Sequence, residues 1–233
     1  MLPGPPLLQG FYSIVPNARI LLVNPNSLDK VTEAIGRAVQ PFGHLPLDFR
    51  CLTSTGGPAG IQNQAEADAS IAPMAELVRR EAAAADAVIV ACFSDPGLHG
   101  LRDLAPVPVL GIGECSVLTA MSIGARVGVI AIAGAAIPRH LRYFRAMGVA
   151  DRICGELALD LRVSDLADAE LAFQRMAAVG RTLRDAHGAD VLIMGCAGMA
   201  DLRARLEEAC GLPVVEPTQA AVAMAVGRIF GRA

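Results

Sequence analysis

The sequence predicts an α/β fold of two pseudo-symmetric halves, each with a parallel sheet of the four-stranded type. Three observations carry this. Short apolar runs alternate with Ala-rich amphipathic stretches, the mark of βαβ units. Three separated segments recur at nearly one offset. The composition, 53% hydrophobic and 18% charged over 233 residues with no Trp, is that of a chain able to bury one large core or two small ones.

Taken in order, residues 1–17, "MLPGPPLLQGFYSIVPN", read as a loose leader. Pro3, Pro5 and Pro6 break any helix, and the basic start and long apolar run of a signal peptide are missing. Residues 20–23 form the first expected strand, followed by a turn at Asn24, Pro25, Asn26 and Ser27 and a helix over 28–41. A Gly56-Gly57-Pro58 turn precedes a helix over 69–84. Residues 88–91 are a strand that stops at Cys92. Beyond it Asp95 is placed to cap, and Pro96 to open, a helix over 97–104. Strands follow at 107–112 and 126–131, then helices at 138–147 and 167–187. A strand at 191–194 stops at Gly195 and Cys196 and leads to a helix over 200–210. A short strand at 214–215 precedes a last helix over 218–230.

The repeat is read directly. "ADAVIVACFSDPG" (85–97) and "ADVLIMGCAGMAD" (189–201) align their cysteines at an offset of 104. "VPVLGIGE" (107–114) matches "LPVVEPTQ" (212–219) at 105, and "RILLVNP" (19–25) matches "RVGVIAI" (126–132) at 107. The halves are therefore expected at 18–116 and 117–216, packed face to face, with helix 217–230 returning to the first. Each half then places one cysteine at the carboxyl end of a parallel strand, the edge where open α/β sheets bind ligands. The active site is expected in the cleft between the halves.

The net charge of −3 and the lack of any basic cluster exclude a nucleic-acid surface. No apolar run of about 18 residues supports a membrane span. Cytoplasmic residence, a small-molecule substrate and a homo-oligomer are the expectations. "GIGE" lacks the rest of a dinucleotide fingerprint, and Glu114 in it reads equally as a helix cap or a ligand group. The six cysteines form no C-x-x-C pair, so zinc spacing is absent. Taken singly, each is a small buried hydrophobe, and Cys51, Cys115, Cys154 and Cys210 stay so. His44, His99, His140 and His187 are expected on loops and helix surfaces, so a Cys–His pair has little local support.

Two thiols facing each other across one carbon suit racemisation. One thiolate removes the Cα proton, the opposite thiol returns a proton to the other face, and N–H donors hold the enolate oxygen. Small residues beside the second cysteine, Gly195, Ala197 and Gly198, let backbone amides approach the substrate.

The segments "ILLVNPNS" (20–27), "ACFSDPGL" (91–98), "GIGE" (111–114) and "MGCAGMADL" (194–202) resemble the aspartate/glutamate/hydantoin racemase superfamily, nearest its hydantoin racemase branch, over about residues 18–230. The resemblance implies that Cys92 and Cys196 are the acid/base pair. It implies that Asn24, Pro25, Asn26 and Ser27 contact the substrate, and that Phe93, Ser94 and the backbone after Cys196 donate to its oxygens. It implies no pyridoxal phosphate, metal or nucleotide. Three positions depart from the branch. Gln62 stands where an acid is usual, Ala131, Ile132 and Ala135 where threonines are, and Glu216-Pro217 where Asp-Gly is. These changes are expected to make the pocket less polar. The leading function is racemisation of 5-substituted hydantoins or a related amino-acid derivative such as allantoin. An aspartate/glutamate-type racemase and a maleate-type cis–trans isomerase remain open. An arylmalonate-type decarboxylase, which keeps only the second cysteine, is disfavoured by Cys92, and a silent binding protein by the retention of both. A redox dithiol requires the two sulfurs to approach bonding range.

Overall fold

The structure, a computed structural model, describes residues 17–161 and 168–231. Residues 1–16 of the expected leader and Ala167 of the expected helix 167–187 lie outside that range. The expected α/β architecture is present as two four-stranded sheets. The first has the order β2-β1-β3-β4 (β1 Ala18–Asn24, β2 Leu47–Thr53, β3 Ala87–Val90, β4 Val109–Gly111). The second has the order β6-β5-β7-β8 (β5 Val127–Ala131, β6 Ile153–Ala158, β7 Val191–Gly195, β8 Val214–Val215). Every strand pairing is parallel. The repeat thus extends from sequence to topology. It reaches single bonds: Asp86 accepts from the Arg19 N–H at the foot of β1, and Asp190 from the Arg126 N–H at the foot of β5.

The helices are α1 Asp29–Ala38, α2 Gln64–Glu81, α3 Leu98–Leu104, α4 Ile112–Ile123, α5 Ile137–Ala146, α6 Ala169–His187, α7 Arg203–Cys210 and α8 Pro217–Phe230. The first ends before Pro41, which starts its own short 3-10 turn at Gln40–Phe42. α2 begins five residues earlier than expected. Asn63 accepts from the Glu66 N–H and the Glu66 carboxylate accepts from the Asn63 N–H, closing a capping box. One core cluster joins both sheets, with Ile20 and Ile89 of the first sheet clustered with Val129 and Ile193 of the second, and with Val117 of α4 and Val222 of α8. α8 packs along α4 and touches strands of both sheets.

Three elements differ from expectation. β2 and β6 were not expected as strands. Both are sheet edges whose residues are mostly half-buried or exposed, so "LDFRCLT" and "ICGELA" lack the continuous apolar run of a central parallel strand. α4 takes Ile112 from the expected strand 107–112 and continues to Ile123. It is apolar on most sides, as suits a helix buried beside α8, so it shows no amphipathic period. Its own N-cap, Gly111, has no side chain to announce it.

Candidate active site

In each sheet the chain reverses its winding direction between the two central strands: β1 and β3 in the first, β5 and β7 in the second. The loops leaving the carboxyl ends of these four strands are where a doubly wound sheet opens a crevice. Here the two crevices face each other. One cavity, with about 560 Å³ of space free of protein atoms and partly open to solvent, takes lining residues from all four loops. Asn26 comes from the loop after β1 and Ala91–Ser94 from that after β3. Ile132, Ala133, Ala136, Arg139 and His140 follow β5, while Gly195 ends β7 and Cys196 and Ala197 follow it.

Cys92 and Cys196 are brought together on this cavity from equivalent positions of the repeat, and both are half-buried free thiols. Burial pushes the Cys196 thiol up to about 11, against the Gly198 and Ala197 amides that hydrogen-bond its sulfur; the charge of Cys92 adds to the rise. Burial also raises Cys92, opposed by the Ser94 backbone N–H and by the Arg139 guanidinium. Cys196 also borders a second cavity, between α1, α6 and the Ala200–Leu202 turn, which Gly198 lines as well.

The remaining expected site residues divide. Phe93, Ser94, Gly195 and Ala197 line the first cavity, as do Gln62 and Ile132. Of the turn after β1 only Asn26 does. Asn24, expected at the substrate, spends its side chain inside the loop. Its Oδ1 accepts from the Asn26 N–H, and its Nδ2 faces Asn26 Oδ1, the Leu28 carbonyl and Thr32 Oγ1. This is an Asx turn that fixes the loop. Pro25 and Ser27 are outside the lining for a related reason. The Ser27 N–H donates to the Pro58 carbonyl, and Pro25 packs so closely on the Gly57 turn that a Cβ there would lie 2.2 Å from the Pro25 oxygen. Ala131, Ala135 and Glu216 are likewise off the cavity wall. Glu216 Oε2 instead accepts from the Gln219 N–H at the start of α8, and burial pushes its carboxyl up to about 7. Glu114 pairs with Arg102 away from the cavity, and His99 is exposed.

Asp95 caps a helix, but not the one expected. α3 starts from Gly97, in the left-handed region at φ 68°. Asp95 turns away to α4, where Oδ1 accepts from the Gly113 N–H at 3.0 Å and Oδ2 from the Glu114 N–H at 2.7 Å and from the Tyr143 hydroxyl at 2.9 Å. The loop carrying Cys92–Ser94 is thereby tied to the first turn of α4. Asp95→Asn is expected to lower stability by about 1–3 kcal/mol, because an amide nitrogen would face donors that need an acceptor. Asp95 has φ 44°, which Asn also tolerates, so the loss reports on the bonds. Urea unfolding measures it, and an unchanged midpoint would refute the cap.

Two residues that sequence reasoning missed complete the wall. His140, expected on a surface, is buried against Phe93, with ring centroids 5.0 Å apart at 81°. Its Nδ1 meets Glu156 Oε1 at 2.5 Å and its Nε2 lies 3.1 Å from Ser94 Oγ. Ser94 Oγ in turn accepts from Arg139 Nη2 at 2.6 Å. Ser94 Oγ thus bridges Arg139 and His140 on the cavity wall. Arg139 is buried and lines the cavity. The wall after β5 therefore keeps polar side chains, although Ile132 stands where the branch usually has a threonine and a less polar pocket was expected. The available signal was helical spacing: Ala136, Arg139, His140, Tyr143 and Phe144 share one face of α5, and Phe144 marks that face as the inner one.

Among the described residues no three His, Cys, Asp or Glu side chains gather as metal ligands, and no helix is long and apolar enough to cross a membrane.

The Asp/Glu/hydantoin racemase family model matches residues 20–225. The chain is 35% identical over 209 residues to a hydantoin racemase of Rhizobium meliloti, covering 88% of this chain and 86% of that one. Among solved structures it resembles allantoin racemase from Pseudomonas fluorescens, with a TM-score of 0.87 at 27% identity over 91% of this chain and 90% of that one. Allantoin racemase from Klebsiella pneumoniae is similar, with a TM-score of 0.86 at 25% identity over 91% and 88%.

Proposed function

Since the chain belongs to the Asp/Glu/hydantoin racemase family, we propose that it inverts an acidic Cα–H centre with two cysteines and no cofactor. The substrate is a 5-substituted hydantoin or a related amino-acid derivative such as allantoin. That the protein is an isomerase of the racemase type follows from the family and from the hydantoin and allantoin racemases it resembles. The pair of thiols is the further step. It is supported by one observation: Cys92 and Cys196 leave equivalent strands, β3 and β7, and line the same cavity.

In this reading one sulfur, as thiolate, takes the Cα proton. The bonding pair moves into an enolate, and the opposite thiol protonates the other face. The net result is an inverted carbon and a proton moved from one sulfur to the other, restored by exchange with solvent. Backbone amides after Cys196 lie beside the reacting groups, so donors are in place before charge develops. Burial of both thiols disfavours the thiolate at rest and strengthens it as a base once formed.

Solvent deuterium uptake at Cα tests the substrate class. Each enantiomer of benzylhydantoin, isopropylhydantoin, 5-(carboxymethyl)hydantoin, allantoin and aspartate is offered in D2O. Uptake with loss of optical rotation is expected for a hydantoin or for allantoin. Uptake on aspartate alone would move the protein to the amino-acid racemases, and no uptake on any of them would overturn the reading.

A further inference from the structure

Arg139 sits in the first turn of α5 and is 7% exposed. One of its three guanidinium nitrogens, Nη2, donates to Ser94 Oγ. Nε and Nη1 are buried and have no hydrogen-bond partner among the described residues. A buried charge left in that condition costs several kcal/mol. The carboxylates near enough to feel it are already occupied. Glu156 takes the His140 ring, and Glu66 Oε2 accepts from the Gln62 and Asn63 N–H groups. No described carboxylate forms a salt bridge with Arg139. The residue is nonetheless held firmly, by Ser94 and, through it, by His140 and Glu156. A guanidinium fixed on the wall of a ligand cavity, with two nitrogens unpaired, is a receptor for an anion. The same cavity wall includes the apolar Ile61, Ile132, Ala133 and Ala136, and it carries no carboxylate.

We infer that the substrate carries a carboxylate close to the reacting carbon, and that Arg139 receives it through Nε or Nη1. This rests on the racemase reading of the same cavity and narrows it to anionic substrates, such as a hydantoin whose 5-substituent ends in a carboxylate. Arg139 is near enough to Cys92 to act on its charge, so a bound carboxylate orients the reacting carbon with respect to that sulfur.

A thiol-labelling test is independent of racemase activity. Iodoacetate and iodoacetamide alkylate the same thiolate, so the ratio of their rates at Cys92, followed by peptide mass spectrometry, cancels the thiolate fraction and reports the local field. The ratio is expected to be about tenfold or more above that of Arg139→Gln, with Arg139→Lys between. Should Arg139→Gln not fold, the unaltered protein suffices: malonate is expected to protect Cys92 at concentrations about tenfold lower than malonamide. Equal ratios in the parent and a folded Arg139→Gln, or equal protection by the two compounds, would overturn the receptor. Turnover then extends it. The parent is expected to prefer 5-(carboxymethyl)hydantoin over 5-propylhydantoin through KM, and Arg139→Gln to lose that preference. A change confined to kcat, equal for both compounds, would overturn substrate-carboxylate binding and make Arg139 an enolate-stabilising group. No turnover of either hydantoin with the labelling preference intact would overturn the hydantoin reading and support the receptor.

Discussion

Cys196→Ser and Cys92→Ser are each expected to lower racemisation by about 10²–10⁴-fold, the usual contribution of a positioned acid or base. A serine hydroxyl occupies nearly the same space but cannot form an anion at accessible pH. Each variant is expected to keep Cα deuterium exchange with one enantiomer only, that facing the surviving thiol. Polarimetry in water and exchange in D2O, run on separate enantiomers, make the comparison. Full racemisation by either variant would sink the two-thiol mechanism, and so would symmetrical loss of exchange in a folded variant. The parent enzyme adds a pH signature. Burial raises Cys92 and takes Cys196 to about 11, so at neutral pH both sulfurs are mainly protonated. The rate is then limited by the small thiolate fraction and is expected to rise about tenfold per pH unit through the neutral and mildly alkaline range. A rate that is flat from pH 7 to 9 would show that a thiolate is already present at rest.

The two cysteines on the cavity were legible because the signal is doubled. A lone cysteine after a strand carries no information beyond burial, but two of them at corresponding places in a repeat define a shared edge. The central strands were legible for a similar reason, since a strand buried on both faces writes a continuous apolar run. The edge strands β2 and β6 were not, because half of each faces less crowded surroundings. The cap of α4 shows why local reading fails elsewhere. In the second half, Glu216 immediately precedes α8 and accepts from its Gln219 N–H, a signal written in place. In the first half the corresponding position is Gly111, and the cap is Asp95, contacting Gly113 from 18 residues away. A Cβ on Gly111 would lie 2.2 Å from the Asp95 carboxyl carbon, so the glycine is the room that the distant carboxylate occupies. Arg139 and His140 were hidden differently. Charged residues in a helix ordinarily mark its wet face, and here they lie on the inner face because a ligand cavity, not a hydrocarbon core, is what they meet.

Gly113→Ala is expected to damage both stability and rate. Gly113 lies in the first turn of α4, and a Cβ there would come 2.2 Å from the Phe93 carbonyl oxygen and 3.0 Å from Asp95 Oδ2. Neither neighbour gives way easily. The first is backbone of the loop that carries Cys92 and Ser94, and the second is held by the Glu114 N–H and the Tyr143 hydroxyl. Relief requires the loop to move away from α4, weakening the Gly113–Asp95 bond as it goes. Overpacking of this kind costs about 1–3 kcal/mol, and misplacing a reacting group by about 1 Å costs about 10²-fold in rate. Both losses are expected together, in urea unfolding and in racemisation. Gly100→Ala is the control. Gly100 lies within α3 with nothing within 4 Å of an added Cβ, so the change is expected to be neutral or stabilising by about 0.5–1 kcal/mol. If Gly113→Ala kept the parent's stability and rate, the loop would be free to shift and its fixation by α4 would have no part in placing Cys92. If it lost rate at full stability, the tie between α4 and the loop would be a device for position alone. The bonds already made by Asp95 point to the coupled outcome, because the same carboxylate that closes the helix also anchors the turn behind the Cys92 sulfur.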